Sequence, residues 1–269
     1  MSMGNRCVKG RISIFTTTVA LMLLLSFPLL ADNTTETFLD KNARFHPVVS
    51  TLGMVVSQEA IASQVGVDIL EAGGNAIDAA VATGFALAVT LPRAGNLGGG
   101  GFMLVHLAKE NRTIAIDYRE MAPFDAHRDM FLDSNGDVDN EKARFSAQSS
   151  GVPGTVAGLL YALEQYGSMS ISQVLKPAIQ LANKGFIVNH DLSDSLRLSA
   201  KRLQKHKASS EYFYMTDGKY YLPGDILVLS DLSSTLKRIS QQGASGFYQG
   251  KTADLIVKQM QNSGGLITL

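Results

Sequence analysis

The chain has 269 residues, and its 24 Lys plus Arg balance 24 Asp plus Glu, so the formal charge is zero. That balance gives no electrostatic footprint for nucleic acid or for an anionic membrane surface. A hydrophobic content of 45% with 18% charged residues describes a globular chain with a sizeable core, not a disordered one.

Residues 1–31 differ from the rest. Arg6, Lys9 and Arg11 give a basic start, the stretch from Ile12 to Leu30 is apolar, and Ala31 offers a small residue for cleavage. This pattern reads as a secretory signal, with an uncleaved N-terminal anchor as the alternative. Cys7 is the only cysteine and lies inside that segment. The exported part would therefore hold no thiol, which removes a cysteine nucleophile, a cysteine-based zinc site and any disulfide. Residues 32–47 are polar and without periodicity and read as a linker, leaving residues 48–269 as the folded part.

In chain order, Val48-Val49 and Met54-Val55-Val56 read as short strands around Gly53. Ser57 is expected to cap a helix whose stripe is Ile61, Val65 and Ile69, and Gly73 to end it in the left-handed conformation. Asn75, with Asp78 three residues on, opens the next helix. From Ala76 to Thr90 that helix is apolar on nearly every face, too short to cross a bilayer, and reads as a buried core helix stopped by Leu91-Pro92.

Pro92 to Pro123 is the stretch on which the functional reading rests. Four glycines, Gly98 to Gly101, precede the apolar run Phe102 to Leu107. Lys109 to Arg112 forms a polar break, and Thr113 to Tyr118 a second apolar run. Two apolar runs around a short polar break predict a β-hairpin. With Lys109 to Arg112 as the loop, Ala108 faces Thr113 and Arg119 faces Phe102.

Beyond the hairpin, Asn135-Gly136 marks a turn. Pro153 is expected at the first position of a helix carrying Val156, Leu159, Leu160 and Leu163 up to Gly167. Ser170 to Gln173 has a capping-box pattern before a helix ending at Gly185, with a kink or restart at Pro177. Asn189 caps another helix through Leu192, Leu196 and Leu203. Leu222-Pro223-Gly224-Asp225 is a turn. Leu232, Leu236 and Ile239 mark a helix to Gly243, and Leu255, Ile256, Gln259 and Met260 one to Gly264. Helices that bunch after a hairpin indicate an α+β chain.

The glycine run does not fit a phosphate loop. Gly101 is followed by Phe102-Met103 where a P-loop needs Lys and Ser or Thr. A dinucleotide fingerprint follows a strand and opens a helix, and the order here is the reverse. The glycines read as residues that allow close packing of the hairpin start, with a pocket lined by their N–H groups as the alternative. Asp133 to Val138 resembles a calcium loop only superficially, since Val138 stands where Gly is needed and Arg144 where Glu is. His46, His106, His127, His190 and His206 show no metal spacing, and no Gly-x-Ser-x-Gly elbow is present. His106, within a strand, reads as a structural histidine. Arg119 is the sharpest candidate, because a planar guanidinium beside glycine backbone suits bidentate capture of a carboxylate. The structural alternative is an ion pair with Asp117 or Glu120.

Several blocks resemble the gamma-glutamyltranspeptidase family. They are Gly73 to Ala82, Gly95-Asn96-Leu97-Gly98-Gly99-Gly100-Gly101-Phe102-Met103, Asp117-Tyr118-Arg119-Glu120-Met121-Ala122-Pro123, Gly151 to Gly158, and Asn262 to Thr268. The resemblance implies part of a four-layer αββα N-terminal-nucleophile hydrolase fold, incomplete in this chain. It implies a precursor that cuts itself before a threonine, whose own amine then serves as base. The activity implied is γ-glutamyl transfer or hydrolysis on glutathione and other γ-glutamyl amides, through a γ-glutamyl ester.

The family's arginine for the substrate α-carboxylate matches Arg119. No threonine here matches the nucleophile, which is expected beyond Leu269, so the isolated chain is expected to be inactive. Implied partners are the γ-glutamyl substrate, amino-acid or peptide acceptors and the small subunit from the same precursor, with no cofactor, metal or nucleic acid. The location implied is periplasmic or extracellular, or membrane-anchored if the N-terminal segment is retained. The alternatives are a truncated non-catalytic protein of the same fold and a related acylase with a different acyl substrate.

Overall fold

The computed structural model describes residues 49–269; the proposed signal, the linker and Val48 lie outside them. Within residues 50–269 the chain is α+β, and its elements follow in this order. Helices α1 (Ala60–Glu71) and α2 (Ala76–Thr90) precede a hairpin of β1 (Phe102–Leu107) and β2 (Arg112–Asp117). Then come α3 (Asn140–Phe145), α4 (Thr155–Tyr166), α5 (Ile171–Lys184), β3 (Phe186–Ile187), α6 (His190–Leu203) and α7 (Lys207–Phe213). The chain continues with β4 (Ile226–Leu227), α8 (Ser230–Gln242), α9 (Ser245–Tyr248) and α10 (Gly250–Ser263). β1 pairs with β2 and β3 with β4, both antiparallel.

The core is built on α2. Val81, Ala82, Phe85, Ala86 and Val89 are fully buried, as an all-round apolar helix requires. α2 packs on α1, α4 and α5, and α5 passes the core on to α8 through Val174, Leu175, Leu236 and Ile239. The N-terminus of α2 carries the expected capping box between Asn75 and Asp78. Asp78 does more than close that box. Its carboxylate also accepts the N–H groups of Ser168 and Met169 and the Ser168 hydroxyl, tying α2 to the turn before α5. Burial pushes the Asp78 carboxyl upward, but these bonds and the Asn75 N–H outweigh it and hold the group below its ordinary value.

Several local expectations need correction. Met54 to Val56 forms no strand, because no described segment supplies its ladder. The cap of α1 is Glu59, whose carboxylate accepts from Ile61 and Ala62 and from the Thr90 hydroxyl. Ser57 supports that cap by donating to the Glu59 carbonyl at 2.8 Å. Pro153 precedes α4 by two residues, and Gly154 is the cap. α5 runs unbroken through Pro177, held by Val174, Leu175, Ala178 and Ala182, all fully buried. In α10, Thr252 and Ala253 are the buried residues, whereas Leu255 is exposed.

Candidate functional site

The hairpin forms, with its register displaced by two residues from the expected one. Leu107 pairs with Arg112 and Phe102 with Asp117. The loop is a 3₁₀ turn, Ala108–Glu110, followed by Asn111 in the left-handed region at φ 44°. Asparagine tolerates that conformation far better than arginine, which places the loop one residue earlier than hydrophobicity alone suggested. Because side chains alternate with period two, a shift of two keeps every residue on its expected face. Met103, Val105, Ile114 and Ile116 pack inward, while Phe102 and Leu104 lie on the exposed face. His106 is structural: its Nδ1 sits 3.0 Å from Oγ1 of its register partner Thr113.

Past the last strand pair the two chains continue side by side. The Tyr118 N–H donates to the Gly101 carbonyl at 3.0 Å, and the Gly101 N–H returns to the Tyr118 carbonyl at 3.3 Å. Arg119 follows, so its backbone lies beside Gly100 and not opposite Phe102. Any side chain at Gly100 would collide with the Glu120 N–H and the Tyr118 carbonyl. None of Gly98 to Gly101 has a positive φ. Their role is therefore close approach rather than special backbone conformation. Among the described residues, the N–H groups of Gly98, Gly99 and Gly100 have no hydrogen-bond acceptor.

A third segment completes the frame. Gly154 and Thr155, at the start of α4, donate their N–H groups to the Gly99 carbonyl at 2.7 and 3.0 Å. Met121 and Val152 form an isolated antiparallel bridge. A side chain at Gly154 would meet the Tyr118 carbonyl, and one at Gly158 the Tyr118 ring. The blocks at 95–103, 117–123 and 151–158, separate in sequence, thus meet around residues 118–120.

Arg119 is exposed, and its N–H donates to Asp117 Oδ1 at 3.0 Å. Its guanidinium makes no ion pair among the described residues, so the structural alternative with Asp117 or Glu120 does not form. Tyr118 is half-buried, and burial pushes its phenol above the ordinary value. A cavity of 780 Å³ lies on the Tyr118 side of the hairpin, lined by Val55, Thr83, Met103, Tyr118 and Leu159 among others. Neither Arg119 nor Gly98 to Gly101 lines it. Among the described residues no group of three metal-ligating side chains occurs, and no helix is long and apolar enough to cross a membrane. Sequence reasoning missed Tyr118 as a packing centre. The spacing of Gly154 and Gly158, one helical turn apart, was the signal available for it.

Comparisons with known proteins show the family of the chain. Residues 62–269 match the family model described as gamma-glutamyltranspeptidase. The chain is 50% identical over 224 residues to the glutathione hydrolase proenzyme of Escherichia coli K12, an alignment covering 83% of this chain and 38% of that protein. It is similar to the crystal structure of Helicobacter pylori gamma-glutamyltranspeptidase, with a TM-score of 0.81 and 45% identity over 82% of this chain and 64% of that one. It is also similar to gamma-glutamyltranspeptidase from Pseudomonas nitroreducens complexed with L-DON, with a TM-score of 0.76 and 39% identity over 82% of this chain and 64% of the other. The chain thus spans well under half the length of the curated relative.

Proposed function

This chain belongs to the gamma-glutamyltranspeptidase family, and from that membership we propose that it carries the carboxylate-binding part of a centre for γ-glutamyl transfer and hydrolysis. In this reading Arg119 grips the α-carboxylate of the γ-glutamyl group of glutathione or a similar γ-glutamyl amide. The nucleophile is a threonine hydroxyl in polypeptide outside these 269 residues, freed when the precursor cuts itself, and its own amine takes the hydroxyl proton. Attack on the γ-amide forms a γ-glutamyl ester and releases the amine, which leaves with a proton. Water, an amino acid or a peptide then takes the acyl group. The second polypeptide from the same precursor is the partner that completes the centre, in an exported protein whose signal is residues 1–31 and whose folded part starts at residue 48. The Escherichia coli relative is a glutathione hydrolase proenzyme, which supports a processed precursor.

One observation carries this reading: an exposed guanidinium without a carboxylate partner, on a backbone fixed beside glycines whose N–H groups have no acceptor among the described residues. Such a combination favours a bound carboxylate, because charge-assisted and bidentate hydrogen bonds are the strong ones. Replacing Arg119 by Ala in the full-length protein is expected to raise KM for a γ-glutamyl anilide by about 10- to 100-fold, the equivalent of about 1.5–3 kcal/mol for a lost charged hydrogen bond. Self-cleavage should persist. An unchanged KM would return Arg119 to a structural role.

A further inference from the structure

We propose that Tyr118 is the positioning residue for Arg119, acting through its ring and its carbonyl and not through its hydroxyl. The inference rests on the reading of Arg119 as the carboxylate-binding group and adds how that group is aimed. Residues 118 and 119 share a peptide unit, so whatever fixes Tyr118 fixes the start of the arginine.

Three glycines from two distant segments form the seat of Tyr118. The Gly101 N–H holds its carbonyl at 3.3 Å, and a side chain at Gly101 would come within 2.9 Å of the ring edge. Gly154 faces the same carbonyl. Gly158, one turn further along α4, lies against the Cβ–Cγ bond. The ring is therefore wedged between the hairpin start and the first turns of α4.

On the far side of Arg119, the Val152 N–H donates to the Met121 carbonyl at 2.7 Å. The Arg119 N–H is itself tied to Asp117. Arg119 is thus an unpaired side chain on a backbone anchored before and after it. Most of the ordering that binding would otherwise demand is already made, and only the side-chain rotamers remain to be fixed. The phenol hydroxyl has no hydrogen-bond partner among the described residues. Flat ring shape is what the glycine seat reads.

The test compares two substrates of the full-length protein: a γ-glutamyl anilide and the 4-aminobutyryl anilide, identical except for the missing α-carboxylate. The readout is the ratio of their kcat/KM values. A merely structural defect lowers both rates together and leaves the ratio alone; a misaimed Arg119 lowers the ratio. Tyr118→Phe keeps the ring and should keep the ratio within about twofold of the parent. Tyr118→Leu and Tyr118→Met lose the flat ring, and Gly158→Ala pushes on it from the helix side. Whichever of these three self-cleaves and folds should show a ratio lowered at least tenfold, mainly through KM. Arg119→Ala is run alongside as the reference. If Arg119→Ala leaves the ratio unchanged, the carboxylate reading itself falls. If Arg119→Ala collapses the ratio while the three ring and seat variants keep it, only the positioning role of Tyr118 falls. A collapse in Tyr118→Phe would also overturn the proposal, by assigning the work to the hydroxyl.

Discussion

The helical body and the hairpin margin treat their polar and apolar groups in opposite ways. In the body, Phe85, Leu175, Leu236 and Ile239 are fully buried. Its buried carboxylates are capped: Asp78 accepts four N–H or O–H groups from three residues, and Glu59 two N–H groups and a hydroxyl. At the margin, Phe102 is 64% and Leu104 76% exposed, and the Arg119 guanidinium and three glycine N–H groups have no partner among the described residues. Only the backbone there is fixed, by contacts drawn from the body through α4. The comparison teaches that the carboxylates of the body are satisfied within the fold, and in the proposed reading the unpartnered groups of the margin are the ones offered to a ligand.

The sharpest way to break that contrast is to damage each side and compare unfolding. Phe85→Ala opens a cavity in the centre of the body and should lower the unfolding free energy by about 3–5 kcal/mol, read by denaturant titration. A loss under about 1 kcal/mol would mean that α2 is not the core's centre.

Asp78→Asn should come next, at roughly 2 kcal/mol near neutral pH, because an amide cannot accept from every donor the carboxylate serves. The pH dependence sharpens this. The Asp78 carboxyl lies lower in the folded state than its ordinary 3.8, so its stabilisation is complete above that value. It disappears as pH falls through the lower, folded-state value. The gap between parent and Asp78→Asn should therefore close on acidification below about pH 4. A gap that stays constant down to strong acid would show that the ionised carboxylate is not what ties α2 to Ser168.

The smallest effect belongs to the hairpin face. Leu104→Thr changes an exposed position to another strand-forming residue and should stay within about 0.5 kcal/mol. A larger loss would show Leu104 to be packed as the body residues are.

Much of the body was readable in advance because its signals are local. The Asn75–Asp78 and Ser170–Gln173 capping boxes, the Asn189 cap and the left-handed Gly73 each involve residues within a few positions of one another. Fold class followed from the same patterns. The pairing of β3 with β4 was not legible, since two residues in each strand leave no periodicity to detect. Nor was the second use of Asp78, whose donors at Ser168 and Met169 lie ninety residues away.

At the candidate site the division is sharper. The candidate Arg119 was singled out from its place at the hairpin end and its family block, and the face of each strand residue followed from alternation. The register was not, because it depended on which loop residue could accept a positive φ, and Asn111 took that place. The seat of Tyr118 on Gly101, Gly154 and Gly158 lay beyond any local rule. Sequence by itself determines which backbone states each short segment can reach. Contacts between segments far apart in the chain depend on how α4 and the hairpin pack together, and only the folded chain decides that.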